Sequence, residues 1–95
     1  MANIRRLVLD TLKPHEPGII ELAGELGDIE GVTAVNISIY ELDRKVENAK
    51  ITIEGENVPF QLVSKVIEEM GGSIHSVDEV VAGKKIIEHA TTLQD

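Results

Sequence analysis

Apolar positions recur along this chain in two rhythms, and their order lays out a fold. From Ile4 to Leu12 they alternate, with Leu7 and Leu9 on one face of an extended segment and Arg6, Val8, Asp10 and Leu12 on the other. Lys13-Pro14-His15-Glu16-Pro17-Gly18 breaks the run. Pro17 suits the first turn of a helix, where its missing N–H costs nothing. Ile19, Leu22, Ala23, Leu26 and Ile29 then follow at helical spacing, opposite Glu21, Glu25 and Asp28. Gly27 and Gly31 bracket the predicted helix end.

Alternation returns from Val32 to Leu42, where Val35, Ile37 and Ile39 face one way and Asn36, Ser38 and Tyr40 the other. Asp43-Arg44-Lys45 reads as a turn, after which Val46 to Glu54 places Ala49, Ile51 and Ile53 inward and Lys50 and Thr52 outward. Gly55 to Asn57 is a loop with Asn57 as the predicted N-cap of a second helix. That helix carries Leu62, Val63, Val66, Ile67 and Met70 on one stripe and stops at Gly71-Gly72. A last strand runs from Ser73 to Val81 and ends near Gly83. On it His75 and Glu79 share one side and Ser76 and Asp78 the other, while Val77, Val80 and Val81 leave the buried side open.

Strand–helix–strand, twice over, is the pattern of the ferredoxin-like two-layer α+β sandwich. Right-handed crossovers then require strand order 4-1-3-2, with helices on one face and the other face open. The open face of the central strands would present Arg6, Asp10, Lys50 and Thr52. The second and fourth strands are edges, and the second is long, evenly alternating and free of proline, a form suited to pairing between chains. The tail from Lys84 to Asp95 carries Ile86, Ile87, Ala90 and Leu93. It either folds back over the open face or docks on a neighbouring copy.

Composition narrows the functional classes. Ninety-five residues make one domain (1–95), and Tyr40 and Phe60 are the only aromatics, so the core is aliphatic and small. Association of copies would add buried area. A net charge of −8 with no basic stripe argues against nucleic acid and against an anionic membrane surface. There is no cysteine, hence no disulfide or thiolate chemistry. Asp10 cuts Leu7-Val8-Leu9 too soon for a signal peptide or membrane span, and a soluble cytoplasmic protein is expected.

The candidate chemistry is sparse. Asp10 and Lys50, opposite in charge on neighbouring strands, read first as a cross-strand ion pair and second as a ligand-binding pair. Asp43 and Glu47, with Glu41, flank a turn, and Asp78 and Glu79 adjoin on an edge strand. Such carboxylates, contributed by two subunits, could hold calcium or magnesium, although no EF-hand spacing is present. A solvated acidic surface is the plainer reading. A lone His75 reads as a hydrogen-bonded structural residue, and the three histidines form no zinc or copper pair. The stacking aromatics of RNA-recognition modules are missing from the first and third strands. No Gly-x-Ser-x-Gly elbow surrounds any serine, and an enzyme using Asp10, Lys50 and His75 is disfavoured because the first two read as a structural ion pair.

Two resemblances add to this. Glu16-Pro17-Gly18 followed by Ile19-Ile20-Glu21-Leu22-Ala23 is similar to the start of the first helix in ACT domains, which are ligand-sensing modules of this topology. Here the acidic residue precedes proline directly, without the spacer those modules carry. That resemblance implies a small anionic metabolite bound at His15, Glu16, Pro17 and Gly18, where helix-start N–H groups can hold a carboxylate. Simple helix initiation is the competing reading. Leu12-Lys13-Pro14-His15-Glu16-Pro17, Glu47-Asn48-Ala49-Lys50, the segment from Gly71 to Gly83 and the closing Thr91-Thr92-Leu93-Gln94-Asp95 resemble an archaeal domain-of-unknown-function family, number 211, over nearly the whole chain. Membership implies the ferredoxin-like sandwich and a ring-like or otherwise higher homo-oligomer, and implies no activity. The expectation is a non-enzymatic self-associating module, with an ACT-like sensor or a cation-bridged oligomer as alternatives.

Overall fold

The computed structural model describes residues 1–88. Its elements are β1 (Ile4–Pro14), α1 (Ile19–Gly27), β2 (Ala34–Leu42), β3 (Val46–Glu54), α2 (Phe60–Glu69) and β4 (Ser73–Ala82). The strands form one antiparallel sheet in the order β2-β3-β1-β4, the ferredoxin-like arrangement that the double strand–helix–strand pattern predicts. Both helices lie on one face, α1 over β2 and α2 over β4. No helix among the described residues is long and apolar enough to cross a membrane.

The core sits between the helices and the two central strands because those strands alternate in step. Leu7 pairs with Ile53 and Leu9 with Ile51 across β1 and β3. Directly paired residues share a face, and these four meet Leu22 and Leu26 of α1 and Val63 and Ile67 of α2, with Ile29 and Val58 from the connections. Each such side chain taken fully out of water contributes about 1.5–3 kcal/mol. The two connections cross where Gly31, at φ 99°, passes Gly55. A Cβ on Gly55 would overlap the carbonyl oxygen of Gly31, so the approach requires glycine.

Several boundaries differ from the sequence expectation. β1 does not stop at Leu12, since Lys13 and Pro14 pair with Glu47 and Val46. Proline is tolerated there because it terminates the strand and gives up one ladder donor only. Pro17 lies outside α1: the first helical bond runs from the Leu22 N–H to the Gly18 carbonyl, which makes Gly18 the cap. The helix ends at Gly27, leaving Ile29 to bury itself from the following turn. Asn57 does not cap α2. The next residue, Val58, donates its N–H to the Ile4 carbonyl, and the chain stays extended through the true cap, Pro59. Leu62 is off the buried stripe, at 45% exposure, and Phe60 packs against the core from the start of α2.

In β4 the simple alternation fails. Its register against β1 slips between Val8 and Leu9 and again between Asp10 and Thr11, setting Asp78 and His75 at irregular positions. Val80, Val77 and Ile74 therefore pair with Leu7, Leu9 and Thr11 on the helix side, whereas Glu79 and Ser76 pair with Val8 and Asp10 on the open side. The tail, as far as it is described, folds back. Arg5 donates to the carbonyls of Gly83 (2.9 Å) and Lys84 (2.8 Å), Ile86 reaches the neighbourhood of Thr33, Ala34 and Glu54, and Glu88 meets Arg6. The later apolar positions Ala90 and Leu93 lie outside the described residues.

Candidate functional site

The open face of the sheet carries a continuous row of polar residues. One cross-strand row runs Ser38–Lys50–Asp10–Ser76, from β2 through β3 and β1 to β4. The expected ion pair between Lys50 and Asp10 is not formed, although the two stand directly opposite each other. Tyr40 takes its place. A register irregularity between Ile39 and Glu41 sets this residue at a bulge, and its hydroxyl donates to the Asp10 carboxylate from two strands away. The hydrogen bond to Asp10, followed by burial, pushes the Tyr40 hydroxyl above its usual range. Ser76 donates to Asp78 at 2.7 Å. Asp10, Ser38, Tyr40, Lys50 and Asp78 together line a concavity of about 430 Å³.

Arg6 holds one end of the same face. Its Nε donates to Glu54 at 2.7 Å, and its two terminal nitrogens donate to Glu79 at 3.1 Å and Glu88 at 3.0 Å. Those bonds, that of Glu54 foremost, raise the guanidinium well above its ordinary range. Thr52 belongs to this face as the partner of Val8 and Asn36, and it borders a separate hollow with Asn36 and Glu54.

The His15–Gly18 turn has a different setting. His15 is tied to the hairpin turn that joins β2 and β3: its Nε2 donates to the Asp43 carbonyl at 2.8 Å, and its Nδ1 lies 3.5 Å from Glu47. Gly18 caps α1 through its carbonyl, and no side chain caps that helix. A Cβ on Gly18 would meet open space.

The four acidic residues considered for a cation fall into two separate places. Asp43 accepts the N–H groups of Lys45 and Val46, each at 2.9 Å. Those bonds, Val46 first and then Lys45, hold its carboxyl below the usual range, aided by charge at His15. Glu47 lies inside, on the helix side, against the Lys13 ammonium at 3.2 Å. Asp78 and Glu79 are on β4, engaged with Ser76 and Arg6. Among the described residues no group of three or more His, Asp or Glu side chains is disposed to hold a metal ion.

The sequence pattern gives Lys13, Glu54 and Glu88 no role at the site, and places Tyr40 and Ser38 as outward-facing. Lys13 had a signal, since it continues the odd-numbered inward positions Leu7 and Leu9 once the strand is carried past Leu12. Glu54 likewise continues the outward series Lys50 and Thr52. Nothing local pointed to Glu88, which arrives through the fold of the tail.

Known proteins place the chain. It is 55% identical over 95 residues to "Uncharacterized protein MJ0319" of Methanocaldococcus jannaschii, an alignment covering 100% of this chain and 98% of that relative. Residues 5–95 match the family described as "Uncharacterized ArCR". The chain belongs to that family, DUF211, as its motifs suggested.

Proposed function

We propose that this chain is a non-enzymatic module that works as an assembly of identical copies, in a cytoplasmic setting that accords with the lack of cysteine. One observation carries the reading: α2 covers the helix-facing side of β4 only in part, sheltering Ile74 but not Val77 and Val80. Val77 and Val80 pair with the core residues Leu9 and Leu7, yet remain 45% and 52% exposed. Leu62, in the first turns of α2, is exposed on the same layer. These side chains extend the core outward to a sheet border whose backbone groups have no partner strand among the described residues, and an apolar border of this kind is completed by another chain. A second copy is the favoured occupant because a domain this small gains most from added burial. Nucleic acid is disfavoured, because binding it needs clustered cations that a chain of net charge −8 lacks.

Light scattering over a range of concentrations tests this. The expected mass is a multiple of the single chain, and Val80→Glu lowers it while Lys65→Glu, on an exposed position of α2, does not. A single-chain mass at every concentration, with circular dichroism showing a folded protein, would overturn the reading.

A further inference from the structure

We infer that the concavity on the open face is a binding site for a small zwitterion of α-amino-acid size, its carboxylate held by Lys50 and its ammonium by Asp10 and Asp78. This goes beyond self-association and does not rest on it. Lys50 stands between Ser38 and Asp10 in the cross-strand row, and among the described residues its ammonium has no carboxylate partner within ion-pair distance. The carboxylate directly opposite accepts from the Tyr40 hydroxyl instead. Asp78 is likewise held through one oxygen, by Ser76 at 2.7 Å. Among the described residues each acid thus keeps one oxygen without a hydrogen-bond donor, so a cation and two anions face a shared hollow without forming an ion pair.

That arrangement selects among small ligands by charge. A simple anion meets Lys50 but also the two aspartates, and a simple cation meets the aspartates but also Lys50. Only a molecule carrying both charges close together is complementary to all three. Adjacent strands lie about 4.8 Å apart, a spacing that one molecule with an ammonium near its carboxylate can bridge between Lys50 and Asp10. The volume of about 430 Å³ lies within the range of small-molecule sites and leaves room for a side chain. Ser38 and Tyr40 supply hydroxyls at the border, and Tyr40 is positioned by the same acid that would receive the ammonium.

Tyr40 also provides the measurement, being the one tyrosine in a chain without tryptophan. Each non-aromatic L-α-amino acid is titrated singly to about 10 mM, a range that captures Kd values near 1 mM. Tyr40 emission and isothermal calorimetry are read in parallel, with sodium acetate and methylammonium chloride as single-charge controls. At least one amino acid is expected to give a saturable signal that neither control gives. Lys50→Gln should weaken it about tenfold or more, the loss expected for a charge-assisted hydrogen bond. Lys50→Arg should retain binding, and Lys65→Gln should leave it unchanged. Saturable binding by acetate alone, equal binding by Lys50→Gln, or no heat and no emission change with any amino acid would each overturn the site.

Discussion

β1 carries a cation near each end, on opposite faces of the sheet, and the two are satisfied in different ways. Lys13 points to the helix side, where its side chain is 2% exposed beside a single carboxylate, Glu47, itself 10% exposed. Its ammonium is completed by the Pro14 carbonyl at 2.6 Å. Arg6 points to the open side and gathers three carboxylates, those of Glu54, Glu79 and Glu88, which are 35%, 34% and 82% exposed. Both cations are themselves shielded, Arg6 at 11% side-chain exposure, but Lys13 has one buried carboxylate for a partner and Arg6 has three that water reaches. In a buried pair each member depends on the other, because an unpaired charge there has no water to turn to. In the open cluster water and salt share the work, and no single carboxylate is indispensable.

The largest effect expected from this contrast is at Lys13. Lys13→Met leaves Glu47 inside with only the His15 ring, 3.5 Å away, beside it, and should cost about 3–5 kcal/mol in chemical denaturation. The double variant Lys13→Met/Glu47→Leu should recover most of that loss, since two apolar side chains replace a desolvated pair. A single-variant loss under about 1 kcal/mol, the range of exposed pairs, would break the contrast.

Arg6→Met comes next. It leaves three acids facing one another, so stability should fall, by less than at Lys13, and the gap to the parent should shrink steadily from about 0.05 to 1 M sodium chloride as screening weakens both attraction and repulsion. A gap that ignores salt would place Arg6 in the buried class with Lys13.

Thr11 sharpens the comparison from the core side. It lies two residues before Lys13 on the same inward face, and its hydroxyl oxygen is buried with no hydrogen-bond partner among the described residues. Thr11→Val removes that unsatisfied group at nearly constant shape, so a gain of about 1 kcal/mol in thermal or urea melts is expected. A loss instead would mean that the hydroxyl serves the neighbouring charge pair.

The smallest effect belongs to Glu88→Gln. Glu88 is mostly exposed and Arg6 keeps two other carboxylates, so the change should be about 0–1 kcal/mol and vanish in high salt. A larger loss would show the tail to be a structural strap across the open face.

Much of this molecule is determined by local pattern. Alternation at Leu7 and Leu9 and at Ala49, Ile51 and Ile53, with the helical period of Leu22 and Leu26, suffices for two layers and for the strand order, because burying one face of each element leaves few topologies. Arg6, Asp10, Lys50 and Thr52 were legible as open-face residues for the same reason. Their partners were not. Asp10 meets Tyr40 and not Lys50 because the β2 irregularity beside Tyr40 shifts a side chain, and a bulge arises from how two strands are matched along their length. Glu79 reaches Arg6, and Val77 and Val80 come to the helix side, through register slips of β4 against a strand some seventy residues earlier. Side-chain direction along one strand is a property of the nearest few residues. Which charge ends beside which is settled only when distant segments pair, and there a slip of one residue changes every neighbour.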